Sequence, residues 1–264
     1  MKFKVVKLMR ILVTNDDGIH APGILALAKK MSELGMVKIM APLEEKSAIG
    51  HGITIREPIC VETINLAGIG QAWGVKGTPA DCVKLGLTEI LTEGCDLVVS
   101  GINNGPNLGT DVLYSGTVSA AMEGAIFGIP AIAVSLAAWN HDDYSVAAEI
   151  AFKLIGYLKE NRLTIPKRSV LNINVPAVSR EEIKGIRVTV LGKRDYNDRF
   201  EKRFDPRGNP YYWAVGDILP FRKDDLIYDI FAVEKNYVSL TPLHYDLTNY
   251  QLYTEIRDWG LENC

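Results

Sequence analysis

Two aspartates, Asp16 and Asp17, stand side by side where the apolar run of "RILVTN" stops. Adjacent ionised carboxylates repel one another, and at a partly buried site a divalent cation offsets that repulsion. A simpler arrangement is also open, in which one aspartate caps the helix beginning at "APGI" and the other points into water. The segment "SGINNGPNLGTDVLYSGTVSAAMEG" (100–124) favours the cation. Its Gly- and Asn-rich loop follows an apolar strand, and the amide oxygen of Asn103 suits a hard metal ion. Where "YSGTV" enters a helix, the Ser115 and Thr117 hydroxyls and the Gly116 N–H can meet an anion such as phosphate. A plain Ser/Thr N-cap uses the same residues. Ser47, in "PLEEKSAIGHGIT", offers a further hydroxyl to the metal. Asn15 and Asn104, beside these groups, join Ser115, Gly116 and Thr117 as candidates for substrate binding.

Other polar residues read as structural. His51 has no visible partner and is expected on a loop surface. Lys46, beside Glu44 and Glu45, reads as solvated, as does the mixed-charge stretch from Lys193 to Arg207. Cys82 is expected in the core.

The elements that must position these groups alternate. "RILVTN", "VKIMAP", "CDLVVSGIN", "PAIAVSL" and "SVLNINVP" are strand-like, and "GHGITI" and "ICVETI" read as extended. Between them lie the amphipathic stretches "GILALAKKMSEL", "GTPADCVKLGLTEIL", "GTVSAAMEGAIFG" and "SVAAEIAFKLIGYLKEN". Thr78 as N-cap, Pro79 at the first helical position and Asp81 in the first turn make a strong helix start. This order predicts an α/β fold with a doubly wound, mostly parallel sheet, whose ligands collect at the C-terminal strand ends. From about Gly185 the pattern changes. "GIRVTVLGKRDYNDRFEKRFDPRGNPYYWAVGDI" predicts two strands joined by a long charged connection with a turn at "DPRGN", forming a β-hairpin arm. A short strand, an irregular stretch and a final amphipathic helix follow. We therefore expect a catalytic core over residues 1–184 and an extension over residues 185–264.

A chain of 264 residues with 47% hydrophobic residues can bury a full core. A net charge of −3 gives no footprint for duplex nucleic acid or an anionic membrane, and no apolar run approaches the ~20 residues that span a bilayer. The N-terminal "MKFKVVKLMRILV" mixes basic residues into its apolar run and reads as the start of the first strand, not as a signal peptide. Cys60, Cys82, Cys95 and Cys264 lack zinc-site spacing, and a reducing cytoplasm fits them best.

The segments "ILVTNDDGIHAPGI", "GTPADCV", "VVSGINNGPNLGTDVLYSGTVSAAMEG" and "VSLTPLHYDLT" together resemble the survival-protein SurE family, metal-dependent phosphatases acting mainly on nucleoside monophosphates. The resemblance runs in order to about Thr248. It implies a Rossmann-like core, and one divalent cation, Mg²⁺ or Mn²⁺ before Ca²⁺ or others, held by Asp16, Asp17, Ser47 and Asn103. Catalysis would fall to Asp16, Asp17 and Asn103, with phosphate between the ion and the "YSGT" helix start. A homodimer or homotetramer built partly by exchange of C-terminal elements is also implied, as are 5′-nucleotides, with 3′-nucleotides and polyphosphate as further candidate substrates. One departure stands at Ala48, where the family often has glycine after the metal-binding serine.

Rival chemistries lack their motifs. A phosphatase forming an aspartyl-phosphate places Asp-x-Asp after its first strand, and Asn15 occupies the nucleophile's position. The glycine fingerprints of dinucleotide-binding enzymes and P-loop NTPases are absent. A non-catalytic nucleotide-binding regulator remains as the alternative from another class; it would need the helix start but not the paired carboxylates.

Overall fold

The structure, a computed structural model, describes residues 8–219 and 224–259. Residues 1–7, part of the expected first strand, and Cys264 lie outside these. Strand β1 (Met9–Thr14) is apolar on both faces, with Ile11 and Val13 in one core and Leu12 in the other. Such a strand belongs inside a sheet covered on both sides. It pairs in parallel with β2 (Gly35–Pro42) and with β5 (Leu97–Asn104). β4 (Gly70–Lys76) extends the sheet beyond β2 and β3 (Cys60–Leu66) closes that edge antiparallel. On the other side β6 (Ala131–Leu136) and β7 (Ser169–Val175) continue the parallel order.

Helices cover both faces. α1 (Pro22–Met31) starts with Pro22 and turns Ile24, Leu27, Ala28 and Met31 inward at helical spacing, packing on one face with α4 (Ser145–Glu160). α2 (Pro79–Leu85) and α3 (Gly116–Ile126) cover the other. The predicted start of α2 is present: Thr78 accepts from the Asp81 N–H at 3.1 Å, and the Asp81 carboxylate accepts from the Thr78 N–H at 2.9 Å. Its last turn widens into a π-helical segment, Gly86–Ile90. Because β2 and β5 leave β1 in opposite directions, the strand order reverses there and a crevice opens beyond the C-terminal ends of β1 and β5. β5 bulges between Gly101 and Asn103 as it reaches that crevice. Gly101 has φ +132°, and a Cβ there would lie 2.2 Å from the Val134 carbonyl oxygen, so only glycine fits.

The doubly wound, mostly parallel sheet is as expected, with three differences in detail. "GHGITI" forms no strand, because Thr54 spends its N–H and hydroxyl on Asp81 instead of a ladder. "GIRVTV" does not join the arm: β8 (Ile186–Val188) is an edge strand of the main sheet beside β11 (Val238–His244), which pairs antiparallel with β7. The arm itself is the hairpin of β9 (Arg199–Phe204) and β10 (Pro210–Val215), with "DPRGN" as its tip. A short helix, α5 (Asp229–Glu234), and a last helix, α6 (Tyr250–Arg257), complete the elements of the described residues.

Candidate active site

At the crevice, Asp16 and Asp17 follow β1, and Asn103 and Asn104 end β5. With Glu45, Ser47 and Ser115 they line one cavity of about 400 Å³. Asp16 is buried, and its carboxylate accepts a short hydrogen bond from the Thr117 hydroxyl. α3 approaches it so closely that a Cβ on Gly116 would lie 2.7 Å from the Asp16 Cβ and 2.8 Å from Oδ2. Glycine at this helix start is a steric requirement. Asp17 accepts from the Asn104 N–H at 3.2 Å. Burial, and then the neighbouring Asp16 charge, push the Asp17 carboxyl up to about 7. Burial also raises Asp16, against the Thr117 hydrogen bond.

Among the described residues, neither carboxylate has a Lys, Arg or His partner. Two desolvated acids that cannot comfortably share negative charge will take a proton or a cation. The surrounding donors are hard: the Asn103 amide N–H is committed to the Gly105 carbonyl at 2.8 Å, which leaves Oδ1 as its free group. The buried Asn104 Oδ1 has no partner among the described residues. Oxygen ligands of this kind suit Mg²⁺, Mn²⁺ or Ca²⁺. Among the described residues, no three His, Cys, Asp or Glu side chains gather as a metal cluster, so an ion held here would have to draw on the neutral oxygens as well.

Ser47 lies on the same cavity but is exposed, and its hydroxyl donates to Glu45 at 2.5 Å. Ser115 caps α3 by accepting from the Val118 N–H at 3.0 Å, which leaves its own proton to donate. Asn15, Gly116 and Thr117 stand behind the cavity wall and do not line it: Asn15 is fully buried and donates to the Gly18 carbonyl at 2.9 Å. The Gly/Asn loop is held by a buried knot in which the Asn107 carbonyl accepts from Asn172 and Asn174, while its amide donates to Ser135 at 2.8 Å. From the other side Asp229 accepts from the Gly109 and Gly192 N–H groups at 2.8 and 2.7 Å. Chain beyond residue 185 thus buttresses the loop that follows Asn103 and Asn104.

Residues 11–198 match the profile of the family described as survival protein SurE. The chain belongs to that family. It is 52% identical over 252 residues to the 5′-nucleotidase SurE of Heliobacterium modesticaldum, covering 95% of this chain and 92% of that relative. To the 5′-nucleotidase SurE of Syntrophomonas wolfei subsp. wolfei it is 50% identical, covering 94% of each. The crystal structure of the SurE protein from Aquifex aeolicus superposes with a TM-score of 0.81 at 42% identity, over 95% of this chain and 99% of that one.

Sequence reading of this SurE chain missed several cavity residues. Glu45 adds a third acid, and Asp111, Tyr114, Trp139, Asn140 and Tyr196 also line the wall. Asp111 is held by Arg194 and Tyr196, each at 2.7 Å. These contacts join residues more than 80 positions apart, so no local spacing announces them. His51, expected at the surface without a partner, is bonded to Glu123.

Proposed function

We propose that the chain is a metal-dependent phosphatase that hydrolyses nucleoside 5′-monophosphates to nucleoside and phosphate. The observation that carries this reading is the convergence of Asp16, Asp17, Asn103 and Ser47 on a cavity bordered by Ser115 at the start of α3. The names of the relatives point the same way. Asp16, Asp17, the Asn103 Oδ1 and the Ser47 hydroxyl would hold one divalent cation, Mg²⁺ or Mn²⁺ first. When bound, the ion supplies charge neutralisation for the phosphate and a more acidic water. The chain's own groups do the rest. Thr117 orients the Asp16 carboxylate, and the Asn104 N–H orients Asp17. At the start of α3 the Ser115 hydroxyl donates to a phosphate oxygen. Either aspartate could take a proton from the attacking water, and the lesser burial of Asp17 favours it for that role. With Asn15 where a covalent phosphatase keeps its nucleophile, water attacks phosphorus directly and inverts it.

The test is to strip metal, add back Mg²⁺, Mn²⁺, Ca²⁺ or Zn²⁺ singly, and measure phosphate released from 5′-nucleotides, 3′-nucleotides and polyphosphate. Chelation should abolish turnover and Mg²⁺ or Mn²⁺ restore it. Undiminished turnover in protein shown metal-free by elemental analysis would sink the reading.

We assign residues 185–264 an assembling role in a homodimer or homotetramer. Phe200, Phe204, Tyr212 and Trp213 on the hairpin are exposed, and α6 buries no residue. A lone hairpin is marginal in water, and such faces call for a partner. Removing the residues after Asp246 should give a monomer by light scattering; an unchanged oligomer would free the tail of that role. We place the chain's action in a reducing cytoplasm, which the scattered spacing of its cysteines favours.

A further inference from the structure

Trp139 follows β6 with 66% of its surface exposed and belongs to neither hydrophobic core. It lines the cavity that holds Asp16, Asp17 and Asn103. Its six-membered ring rests against Gly105, where a Cβ would lie 2.4, 2.5 and 2.7 Å from Cζ3, Cη2 and Cε3. Glycine is what lets the indole come so near the backbone two residues after Asn103. The shelf is itself fixed: the Gly105 N–H donates to the Leu136 carbonyl at 3.1 Å, and its own carbonyl accepts from the Asn103 amide at 2.8 Å. A large aromatic group is thus held at the rim of a polar cavity with most of its surface unburied. The cavity consequently has two chemistries, a pole for an anion and its cation at the Asp pair and α3, and a flat apolar wall at Trp139.

We infer that Trp139 stacks on the base of a bound nucleoside monophosphate and sets the preference for nucleotides over phosphomonoesters that lack a base. This inference rests on the nucleotidase reading above. Every nucleobase has a π-face, so stacking tolerates all four bases while rejecting ligands that have none. Loss of one base–aromatic stack weakens binding by about 5- to 150-fold. Indole is also the largest natural platform, so phenylalanine should retain most of the effect and alanine little.

The experiment compares wild type, Trp139→Phe and Trp139→Ala on adenosine 5′-monophosphate and on ribose 5-phosphate, and measures adenosine binding by calorimetry without turnover. Trp139→Ala should lower kcat/KM for the nucleotide by about 5- to 150-fold, through KM, and lower it far less for ribose 5-phosphate. Trp139→Phe should restore most of the loss. Adenosine affinity should fall in the same order. Equal losses on both substrates, or nucleotide kinetics indifferent to the substitution, would overturn the stacking role. Protein that turns over neither substrate contradicts the nucleotidase reading alone; adenosine binding then decides the stack, and affinity equal in wild type and Trp139→Ala overturns it.

Discussion

His51 Nε2 lies 2.8 Å from Oε2 of Glu123, a carboxylate buried within α3. The bond joins the loop carrying Ser47 to the helix whose start carries Ser115, Gly116 and Thr117. Lys84 of α2 reaches the other oxygen at 3.3 Å. Burial alone would push the Glu123 carboxyl up, but His51 and Lys84 outweigh it and hold it below the usual glutamate range. Glu123 therefore stays ionised and acts as a clasp between two parts of the candidate site.

His51→Ala should remove one hydrogen bond to a charged group. With the imidazole one-third exposed, the cost is about 1–2 kcal/mol, or a few degrees in Tm. The sharper readout is local: amide exchange over residues 47–53 should accelerate while that of β1 and β5 does not. Exchange unchanged in that loop would mean that the clasp holds nothing.

Gly116→Ala separates helix propensity from site geometry. Propensity alone favours alanine, by less at this first helical position than the ~1 kcal/mol of a helix interior. The added methyl would nevertheless sit 2.7–2.8 Å from Asp16, a buried side chain held by Thr117. Either α3 or the carboxylate must move, so phosphate release should fall more than tenfold while the protein stays folded by circular dichroism. Wild-type activity in this variant would show that the close approach has no bearing on the site.

Much of this was legible from local signals. Pro22, Thr78 and Ser115 mark helix starts through capping chemistry that acts within a few residues, and β1 shows its burial in an unbroken apolar run. The Asp pair is legible because adjacent like charges at a strand end demand an explanation. What escaped was non-local. β4, "GQAWGVK", has too few apolar residues to read as a buried strand, yet it is held between β2 and β3. β8 is three exposed residues that owe their strand character to β11. Asp111, Arg194 and Tyr196 meet only because the chain returns across the Asn-rich loop.

Asp81 should shape the acid limb of stability. Burial would raise its carboxyl, but bonds from the Thr54 hydroxyl at 2.6 Å and the Thr54 and Thr78 N–H groups outweigh it and hold it below the ordinary value. A carboxyl lowered on folding contributes stability that is complete above the unfolded value near pH 4 and fades as pH drops through the folded one. Asp81→Asn should thus be less stable than wild type at pH 7, with the gap closing below about pH 4. Denaturation curves offset equally at pH 7 and pH 3 would contradict this.

Ala48, where the family often has glycine, adopts φ +55°. In that left-handed region a Cβ costs about 1–2 kcal/mol. The side chain is exposed at the cavity rim, so removing the methyl forfeits little packing. Against the relief stands the greater freedom of glycine in the unfolded chain, about 0.4–1 kcal/mol. The balance favours glycine by roughly 0.5–1 kcal/mol, which should raise Tm by about 1–4 °C. Because Ser47 precedes this position, the relaxed loop should bind Mn²⁺ at least as tightly, as measured by calorimetry. A lower Tm for Ala48→Gly would mean that the methyl makes contacts worth more than the strain it imposes.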